Sequence, residues 1–332
     1  LGGSIPVIRI DRLRKELGRI AGRFYGDPSQ SLDVIAVTGT NGKTTVALLC
    51  AQSLKRLHGD AGYAGTLGIG RLGDLSETAT TTPDPITLHE FFSNLRNHAS
   101  RGAAIEVSSH AISQSRVVGV AIDVAILTNI GHDHLDYHGT REAYIEAKKS
   151  LFANEDLEHA VINIDDDVGR ELAEELSAKT RCWTYSSRTK ISGRSDARHL
   201  YLTRFAGDIG GSTVAVATPQ GEVEITTPLI GDFNAQNIVA SLGALMALGN
   251  DAEPAARALS SASGVPGRLE IVDDGADRGP VVVVDYAHTP ESLSRVLAAL
   301  RPMTDRKLIC VFGCGGDRDK SKRGPMGSAA ER

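Results

Sequence analysis

At 332 residues the chain is longer than one ordinary hydrophobic core requires, and this length is typical of two or more domains. Apolar residues make up 41% of the chain and the formal net charge is -5, which indicates a globular protein and gives no support for nucleic-acid or membrane binding. No apolar run reaches the ~18 residues of a membrane span, and no signal peptide opens the sequence. The four cysteines lack metal-binding spacing, so we expect buried thiols, a reducing compartment and a cytoplasmic protein.

Predicted strands and helices alternate along most of the chain. Residues 7–10 predict a short strand, and the helix after it carries its apolar residues on one stripe. Further strands are predicted at 34–37, 103–107, 123–128 and 160–163, and helices at 43–57, 86–98, 141–152 and 234–248. This alternation predicts an α/β fold with a mostly parallel sheet. Residues 199–230 instead predict a small antiparallel insert.

A second α/β unit is predicted after a linker at 264–268. It contains a strand at 281–285, a helix at 290–301 and a strand at 307–312, and residues 329–332 resemble the first turn of another helix. Because the chain starts at Leu1 and stops soon after this unit begins, we expect it to be cut at both ends. A sheet of so few strands predicts an exposed edge, an apolar face and poor stability for this unit.

The octapeptide Thr38-Gly-Thr-Asn-Gly-Lys-Thr-Thr45 lies between a predicted buried strand and a predicted helix. This layout is typical of a phosphate-binding loop, in which backbone N–H groups and a helix N-terminus hold phosphate oxygens. Lys43 would supply a positive charge, and the Thr44 hydroxyl could hold Mg²⁺. Only two residues separate Gly39 from Gly42, where the usual loop has four, so a plain glycine-rich turn is the alternative.

Polar residues follow several predicted strands, at the edge where open α/β sheets bind ligands. Glu106 could hold Mg²⁺ beside Thr44, or could simply cap a helix. Residues 127–138 contain three histidines and two aspartates, and the nearby oxygen donors favour Mg²⁺ over Zn²⁺. Lys148 and its neighbour Lys149, considered by chemistry alone, are typical of a solvated helix face.

Three more polar segments suggest a nucleotide between two units. Residues 231–237 begin a long apolar helix with amides that could reach a nucleobase or serve as helix caps, and residues 285–290 end a strand in polar groups. Residues 313–323 form a second glycine-rich loop with four basic residues, which suits phosphate oxygens but also a surface turn. We therefore expect ATP at a domain interface, with Mg²⁺, Lys43 and the second loop meeting the charge of a transferred phosphoryl group.

These segments, in their order, resemble the Mur ligases of peptidoglycan synthesis. The matching motifs are TGTNGKTT, EVSSHA, TNIGHDHLDYHG, GDFNAQN, GVPGRLE, VDYAHTP and FGCGGDRDKSKR. The last two favour the members that add the third residue of the peptide. The resemblance implies a remnant of a UDP-binding domain at 1–30, a central P-loop-type ATPase domain at 31–265 and the start of a Rossmann-like C-terminal domain at 266–332.

The resemblance also implies roles for single residues. Lys43 would contact the ATP β- and γ-phosphates within the loop Gly39, Thr40, Asn41, Gly42, Lys43, Thr44 and Thr45. Thr44, Glu106, His134 and Lys148 would form the metal site, with Lys148 as a carbamate, and Lys43, Lys148 and His134 would act in catalysis. The remaining nucleotide or interface positions would be Asn237, Arg268, His288, Asp317 and Lys320. The positions that hold the muramoyl-dipeptide would be Thr81, Thr82, Ser109, Gln114 and Arg116.

The implied reaction is ATP-dependent amide formation through an acyl phosphate. The partners would be UDP-MurNAc-L-Ala-D-Glu and a diamino acid, either meso-diaminopimelate or L-lysine, and we expect a monomer. Members position the amine with an Asp-Asn-Pro-Arg motif that this chain lacks, so we expect this 332-residue chain to bind ATP weakly and not to ligate. The alternatives are a folylpolyglutamate- or cyanophycin-type ligase, and a nucleotide-binding fragment without activity.

Overall fold

A single large sheet with helices on both faces organises the computed structural model. The structure describes residues 8–131, 133–154, 157–176, 181–188, 198–272, 279–314 and 322–331. The sheet has eleven strands in the order β11-β10-β9-β8-β7-β6-β1-β5-β2-β3-β4. All pairings from β2 through β5, β1, β6, β7 and β8 to β9 are parallel, and the strands outside this block pair antiparallel. The predicted α/β fold with a mostly parallel sheet is confirmed.

The strands of this sheet range from three residues in β4 to ten in β9. Their bounds are β1 Asp33–Thr38, β2 Ala61–Gly65, β3 Gly68–Arg71, β4 Asp74–Ser76, β5 Gly102–Glu106, β6 Val124–Leu127, β7 His159–Asn163, β8 Arg181–Ser186, β9 His199–Asp208, β10 Gly211–Thr218 and β11 Gly221–Thr227. A second, antiparallel pair joins β12 Glu270–Val272 to β13 Val282–Val284.

The helices connect these strands along the chain and cover both faces of the sheet. Their bounds are α1 Leu13–Tyr25, α2 Lys43–His58, α3 Pro85–Asn97, α4 Ser109–Ser113, α5 Leu135–His138, α6 Arg141–Lys149, α7 Asp167–Leu176, α8 Asp232–Ala247, α9 Ala252–Ser260, α10 Pro290–Leu300 and α11 Arg323–Ala330. Short 3-10 helices cover 28–31, 150–153 and 301–303. Within the described residues no helix is long and apolar enough to cross a membrane.

The central strand β1 is buried on both faces, as expected for a parallel strand covered by helices. Ile35 and Val37 pack into one apolar cluster with residues of α2, α8 and α9. Val34 and Ala36 point the opposite way, into a cluster that includes residues of α3, α6 and α7. The molecule therefore has three layers, and the carboxyl ends of the parallel strands open at one edge.

Local sequence determines where the helices begin. Asp84 caps α3, its carboxylate accepting from the N–H groups of Ile86 and Thr87 at 2.9 and 3.2 Å, and Pro85 occupies the first helical position. Thr289 forms a capping box with Ser292 at the start of α10. Helix α8 is buried nearly all round, because α2, α9 and the sheet cover it.

Four predictions differ from the structure. Residues 8–10 and 307–312 form neither strand nor helix, so the strands predicted at 7–10 and 307–312 are wrong in their described parts. The last helix begins at Arg323 rather than near residue 329. The antiparallel segment 199–230 extends the main sheet, because β9 pairs parallel with β8. Apolar strand formers alone do not make a strand when no neighbouring strand pairs with them.

Candidate active site

The loop between β1 and α2 is held tightly by its neighbours. Gly39 and Gly42 have φ values of 145° and 85°, and a Cβ on Gly39 would lie 1.9 Å from Thr128 Oγ1. The backbone N–H groups of Thr40 and Asn41 donate to the carbonyl and side-chain oxygens of Asn129 at 2.8 and 3.1 Å. The backbone conformation of the loop is therefore fixed at the N-terminus of α2. The helix dipole and the backbone N–H groups there favour an anion.

Lys43, the first residue of α2, folds back over this loop. Its Nζ donates to the carbonyls of Gly39 and Thr40 at 3.0 and 2.9 Å. Burial lowers the pKa of Lys43, and the nearby carboxylates of Glu106 and Asp133 partly oppose that shift. The amine is therefore positioned over the loop, where it can meet a phosphate oxygen.

Glu106 and Thr44 form a buried pair beside the loop. Glu106 ends β5, which pairs with β1 in parallel and brings residue 106 level with Val37. Thr44 donates to Glu106 Oε2 at 3.0 Å, and these side chains are 4% and 1% exposed. Both groups are oxygen ligands of the kind that Mg²⁺ prefers.

Lys148 is buried, in contrast to the solvated face that residue chemistry alone suggested. Its side chain is 2% exposed, its Nζ donates to Gly39 O at 2.9 Å, and it lies 4.8 Å from the centre of the Tyr144 ring. Burial lowers the pKa of Lys148 well below its ordinary value, and the charge of Lys43 adds to the effect. Burial therefore disfavours the charged ammonium form of Lys148.

The loop before α5 carries His134 and Asp133. His134 has a φ of 54°, and its Nε2 lies 3.4 Å from Asp133 Oδ2. Its ring lies 4.7 Å from that of His110 and 6.5 Å from that of Tyr144, between centroids. Burial lowers the pKa of His134 and favours the neutral imidazole, the form that binds metals. His132 lies outside the described residues.

The five positions expected to hold the muramoyl-dipeptide lie close together. Arg116 donates to the Gln114 side chain at 2.7 Å and to the Thr82 carbonyl at 2.6 Å. Thr82 in turn donates to the Glu106 carbonyl at 2.8 Å. Thr81 and Ser109 line the same cavity as Thr44. This group therefore adjoins the phosphate loop.

The second unit closes the other side of the site. Arg268 donates to Thr44 Oγ1 at 3.2 Å, and its guanidinium lies 4.6 Å from the centre of the Tyr286 ring. Asn237 comes from α8 of the central unit and packs on the loop between β1 and α2, since a Cβ on Gly42 would lie 2.6 Å from its Oδ1. His288 is exposed at the rim. Asp317 and Lys320 lie outside the described residues.

A cavity of about 300 Å³ joins these groups. Its lining includes Thr40, Asn41, Gly42, Lys43, Thr44, Thr45, Thr81, Glu106, Ser109, His134, Lys148, Asn237, Arg268 and His288. The other predicted positions lie behind the lining, and the hydrogen bonds described above join them to it or to one another. They are Gly39, Thr82, Gln114 and Arg116. Those predicted residues that the structure describes are therefore brought together in space, while their individual roles stay predictions.

The donor set suits Mg²⁺ better than a transition metal. In the part of the chain that the structure describes, no three His, Cys, Asp or Glu side chains assemble a metal-binding group. The Glu106 carboxylate and the Thr44 hydroxyl offer two hard oxygens, and Mg²⁺ is commonly held by one or two carboxylates together with substrate phosphates and water. The residues present therefore fit Mg²⁺, with the nucleotide supplying part of its coordination.

Sequence reasoning missed two tyrosines that support this site. Tyr144 lies one helical turn before Lys148, and its hydroxyl is 2.8 Å from Thr40 Oγ1. Tyr63 donates to Glu106 Oε1 at 2.6 Å from the buried strand β2. The helical spacing to Lys148 could have identified Tyr144. Tyr63 gave a weaker signal, because a tyrosine in an apolar strand is ordinary core.

Comparison with family models gives two matches. The model of the Mur ligase middle domain matches residues 37–245, and that of the Mur ligase, glutamate ligase domain, matches residues 267–332. The curated relatives include UDP-N-acetylmuramoyl-L-alanyl-D-glutamate–2,6-diaminopimelate ligases. That of Pseudomonas syringae pv. tomato is 46% identical over 329 residues, covering 99% of this chain and 66% of the relative. That of Coxiella burnetii is 42% identical over 331 residues, again covering 99% and 66%.

Solved structures give the same picture. A structure of a UDP-N-acetylmuramoyl-L-alanyl-D-glutamate–2,6-diaminopimelate ligase is 36% identical with a TM-score of 0.75, covering 96% of this chain and 64% of that one. Folylpolyglutamate synthase of Mycobacterium tuberculosis, with ADP and AMPPCP, is 20% identical with a TM-score of 0.70, covering 87% and 70%, and so shares the fold alone. The chain thus spans just under two thirds of the curated relatives it matches.

Proposed function

The chain belongs to the Mur ligase family, and we propose that it forms the ATP-binding part of a ligase that joins diaminopimelate to UDP-MurNAc-L-Ala-D-Glu. One observation carries the proposal. The phosphate loop, the Thr44–Glu106 pair and Lys148 meet at one cavity, and Arg268 enters it from the second unit. Such a cavity can hold a nucleotide against a second substrate and exclude water.

The reaction is amide formation with ATP cleavage. An oxygen of the D-Glu carboxylate attacks the γ-phosphorus, ADP leaves, and an acyl phosphate forms. The uncharged amine of the diamino acid then attacks the acyl carbon, phosphate leaves with the carboxylate oxygen that it gained, and the proton that the amine nitrogen loses balances the charge on the released phosphate. Because water would hydrolyse the acyl phosphate, closure of the cavity between the two units is part of the proposed mechanism.

Three groups of residues have proposed tasks in this scheme. The phosphate loop binds the β- and γ-phosphates through its backbone N–H groups, and Lys43 moves from the Gly39 and Thr40 carbonyls to a phosphate oxygen. Asn237 and His288, which both line the cavity, contact the nucleobase of ATP. Arg116, with Thr81, Thr82, Ser109 and Gln114, orients the dipeptide so that its carboxylate faces the γ-phosphate.

Thr44 and Glu106 are the proposed ligands of one Mg²⁺, and His134 and a carbamylated Lys148 those of a second. Bound Mg²⁺ would neutralise charge on the phosphate oxygens. Burial and the charge of Lys43 lower the pKa of the Lys148 amine, which favours carbamylation, because the lone pair of an uncharged amine can attack CO₂ with release of one proton. The resulting anion would suit a cation site where an ammonium would be repelled.

The proposal also names the incoming amino acid, the cellular compartment and the oligomeric state. The names of the relatives favour diaminopimelate over L-lysine. We propose a cytoplasmic, monomeric enzyme that uses ATP and Mg²⁺. The second candidate, a folylpolyglutamate-type ligase, is supported by shared fold alone at 20% identity.

The proposal is tested by assaying pairs of substrates. The enzyme is a protein that contains this chain and has the full length of its relatives. UDP-MurNAc-L-Ala-D-Glu or a folate is combined with diaminopimelate, L-lysine or L-glutamate, and ADP and amide product are measured by mass spectrometry. We expect product from the muramoyl-dipeptide with diaminopimelate. Product from folate and glutamate instead, or ATP cleavage independent of the dipeptide, would overturn the assignment.

A further inference from the structure

Tyr63 is a buried tyrosine whose hydroxyl is directed at Glu106. It lies in β2 with 0% exposure, and its hydroxyl donates to Glu106 Oε1 at 2.6 Å. The backbone N–H of Thr66 donates to the same oxygen at 2.8 Å. Two strong donors therefore occupy Oε1 from the β2 side.

The other oxygen of Glu106 faces the phosphate loop. Oε2 accepts from Thr44 Oγ1 at 3.0 Å, and only a long contact of 3.4 Å joins it to Thr66 Oγ1. Glu106 lines the cavity, whereas Tyr63 stands behind it. The two carboxylate oxygens thus differ in function: Oε1 is anchored, and Oε2 keeps lone-pair capacity on the side of Thr44.

Glycine 65 makes this arrangement possible. A Cβ at this position would lie 2.3 Å from both Glu106 Oε1 and the Tyr63 hydroxyl oxygen. Tyr63 and Thr66 therefore hold the Glu106 carboxylate by hydrogen bonds, and Gly65 between them leaves the space that the carboxylate needs. The Tyr63 hydroxyl is the donor in its contact with Glu106, because a carboxylate oxygen can only accept.

We infer that Tyr63 is a positioning residue, whose hydroxyl holds Glu106 Oε1 and thereby turns Oε2 toward Thr44 and the metal. The inference rests on the proposed function, since Glu106 is there a Mg²⁺ ligand. A carboxylate without this anchor can rotate, and a ligand that rotates binds its metal less tightly. Tyr63 is not among the described residues that line the cavity, and besides donating to Glu106 its hydroxyl accepts from the Leu67 N–H at 3.5 Å, so we expect its effect on nucleotide binding to appear through Glu106.

The test compares Tyr63→Phe with the parent in a full-length protein that contains this chain. Binding of a fluorescent ATP analogue is measured in EDTA and across a Mg²⁺ titration. We expect Tyr63→Phe to need about ten-fold more Mg²⁺ for the same gain in nucleotide affinity, with unchanged binding in EDTA. Tyr201→Phe, which removes a phenolic hydroxyl from β9, is the control and should match the parent.

A second variant perturbs the same contact, and unchanged nucleotide binding in EDTA shows that each variant is folded. Gly65→Ala separates the same hydrogen bond from the other side, and it should show the same Mg²⁺ defect. If Tyr63→Phe requires no extra Mg²⁺, or loses affinity equally in EDTA and Mg²⁺, the positioning role is wrong while the proposed function stands. If the parent shows no Mg²⁺-dependent ATP binding, the proposed function itself is overturned.

Discussion

At the scale of the residue, Lys148 and Lys149 show what a sequence can and cannot predict. Lys149 reaches Glu175 on the surface at 2.8 Å, whereas Lys148 is buried and shares the Gly39 carbonyl with Lys43. Adjacent residues of a helix point about 100° apart, so the opposite environments follow from geometry. Chemistry alone could not choose the buried lysine, because that choice depends on the loop packed against α6. The resemblance to a family identified it.

Lys43→Ala should abolish ATP turnover, because it removes the positive charge over the phosphate loop and leaves the loop backbone intact. A loss of at least about 10³-fold in kcat is expected for a group that meets transferred charge. Lys55→Ala on the same helix is the control, since Lys55 lies in the last turn of α2, where its Nζ donates to the Leu72 carbonyl at 2.8 Å. Near-normal ligation by Lys43→Ala would contradict the loop assignment.

Lys148→Ala should be nearly inactive and partly rescued by a short carboxylic acid, which would replace the carbamate oxygens. Steady-state ligation with and without millimolar acetate measures the rescue. Lys149→Ala should keep parental activity, because an exposed ion pair contributes at most about 1 kcal/mol to stability. Full activity of Lys148→Ala, or equal effects of acetate on both variants, would exclude the carbamate.

At the scale of the element, the strands and helices around the site were predictable and those of the second unit were less so. The apolar run 34–37 and the helix after the loop follow from composition and spacing, and both are present as β1 and α2. The run 307–312 is equally apolar, yet it forms no strand, and Ile309 and Val311 remain 77% and 94% exposed. A strand needs a paired neighbour, which local sequence does not reveal.

The amino ends of the parallel strands carry an acid that should make stability depend on pH. Burial raises the pKa of Asp123 to about 6, the N–H of Val34 opposes the shift through a 2.7 Å hydrogen bond, and Asp33 and Glu158 add to it. A raised pKa means that the folded state binds more protons than the unfolded state between about pH 4 and pH 6. Stability from this group therefore falls as pH rises through that window.

Asp123→Asn should accordingly stabilise the fold above pH 6. We expect a gain of about 1 kcal/mol at pH 8, discounted for partial solvent exposure, and none near pH 4, where Asp123 is already protonated. Urea unfolding of both proteins at the two pH values measures it. The exposed Asp74→Asn is the control. A gain that is equal at both pH values would contradict the electrostatic cause.

At the scale of the whole molecule, the site belongs to neither unit alone. The central unit supplies the phosphate loop, Glu106 and, from helix α6, Lys148, while Arg268 and His288 come from the second unit. The sequence predicted both sets, and the proposed boundaries at 1–30, 31–265 and 266–332 remain predictions. The contact between the two units could not be predicted from the sequence. It depends on pairs such as Arg268 and Thr44, which lie 224 positions apart in the chain.

The central claim is that ATP activates a carboxylate by phosphorylating it. The most direct measurement follows ¹⁸O from the D-Glu carboxylate of UDP-MurNAc-L-Ala-D-Glu during ligation to diaminopimelate by a full-length protein that contains this chain. An acyl phosphate predicts one ¹⁸O atom in the released phosphate for each amide formed, together with ADP. Unlabelled phosphate, or release of AMP and pyrophosphate, would contradict the account.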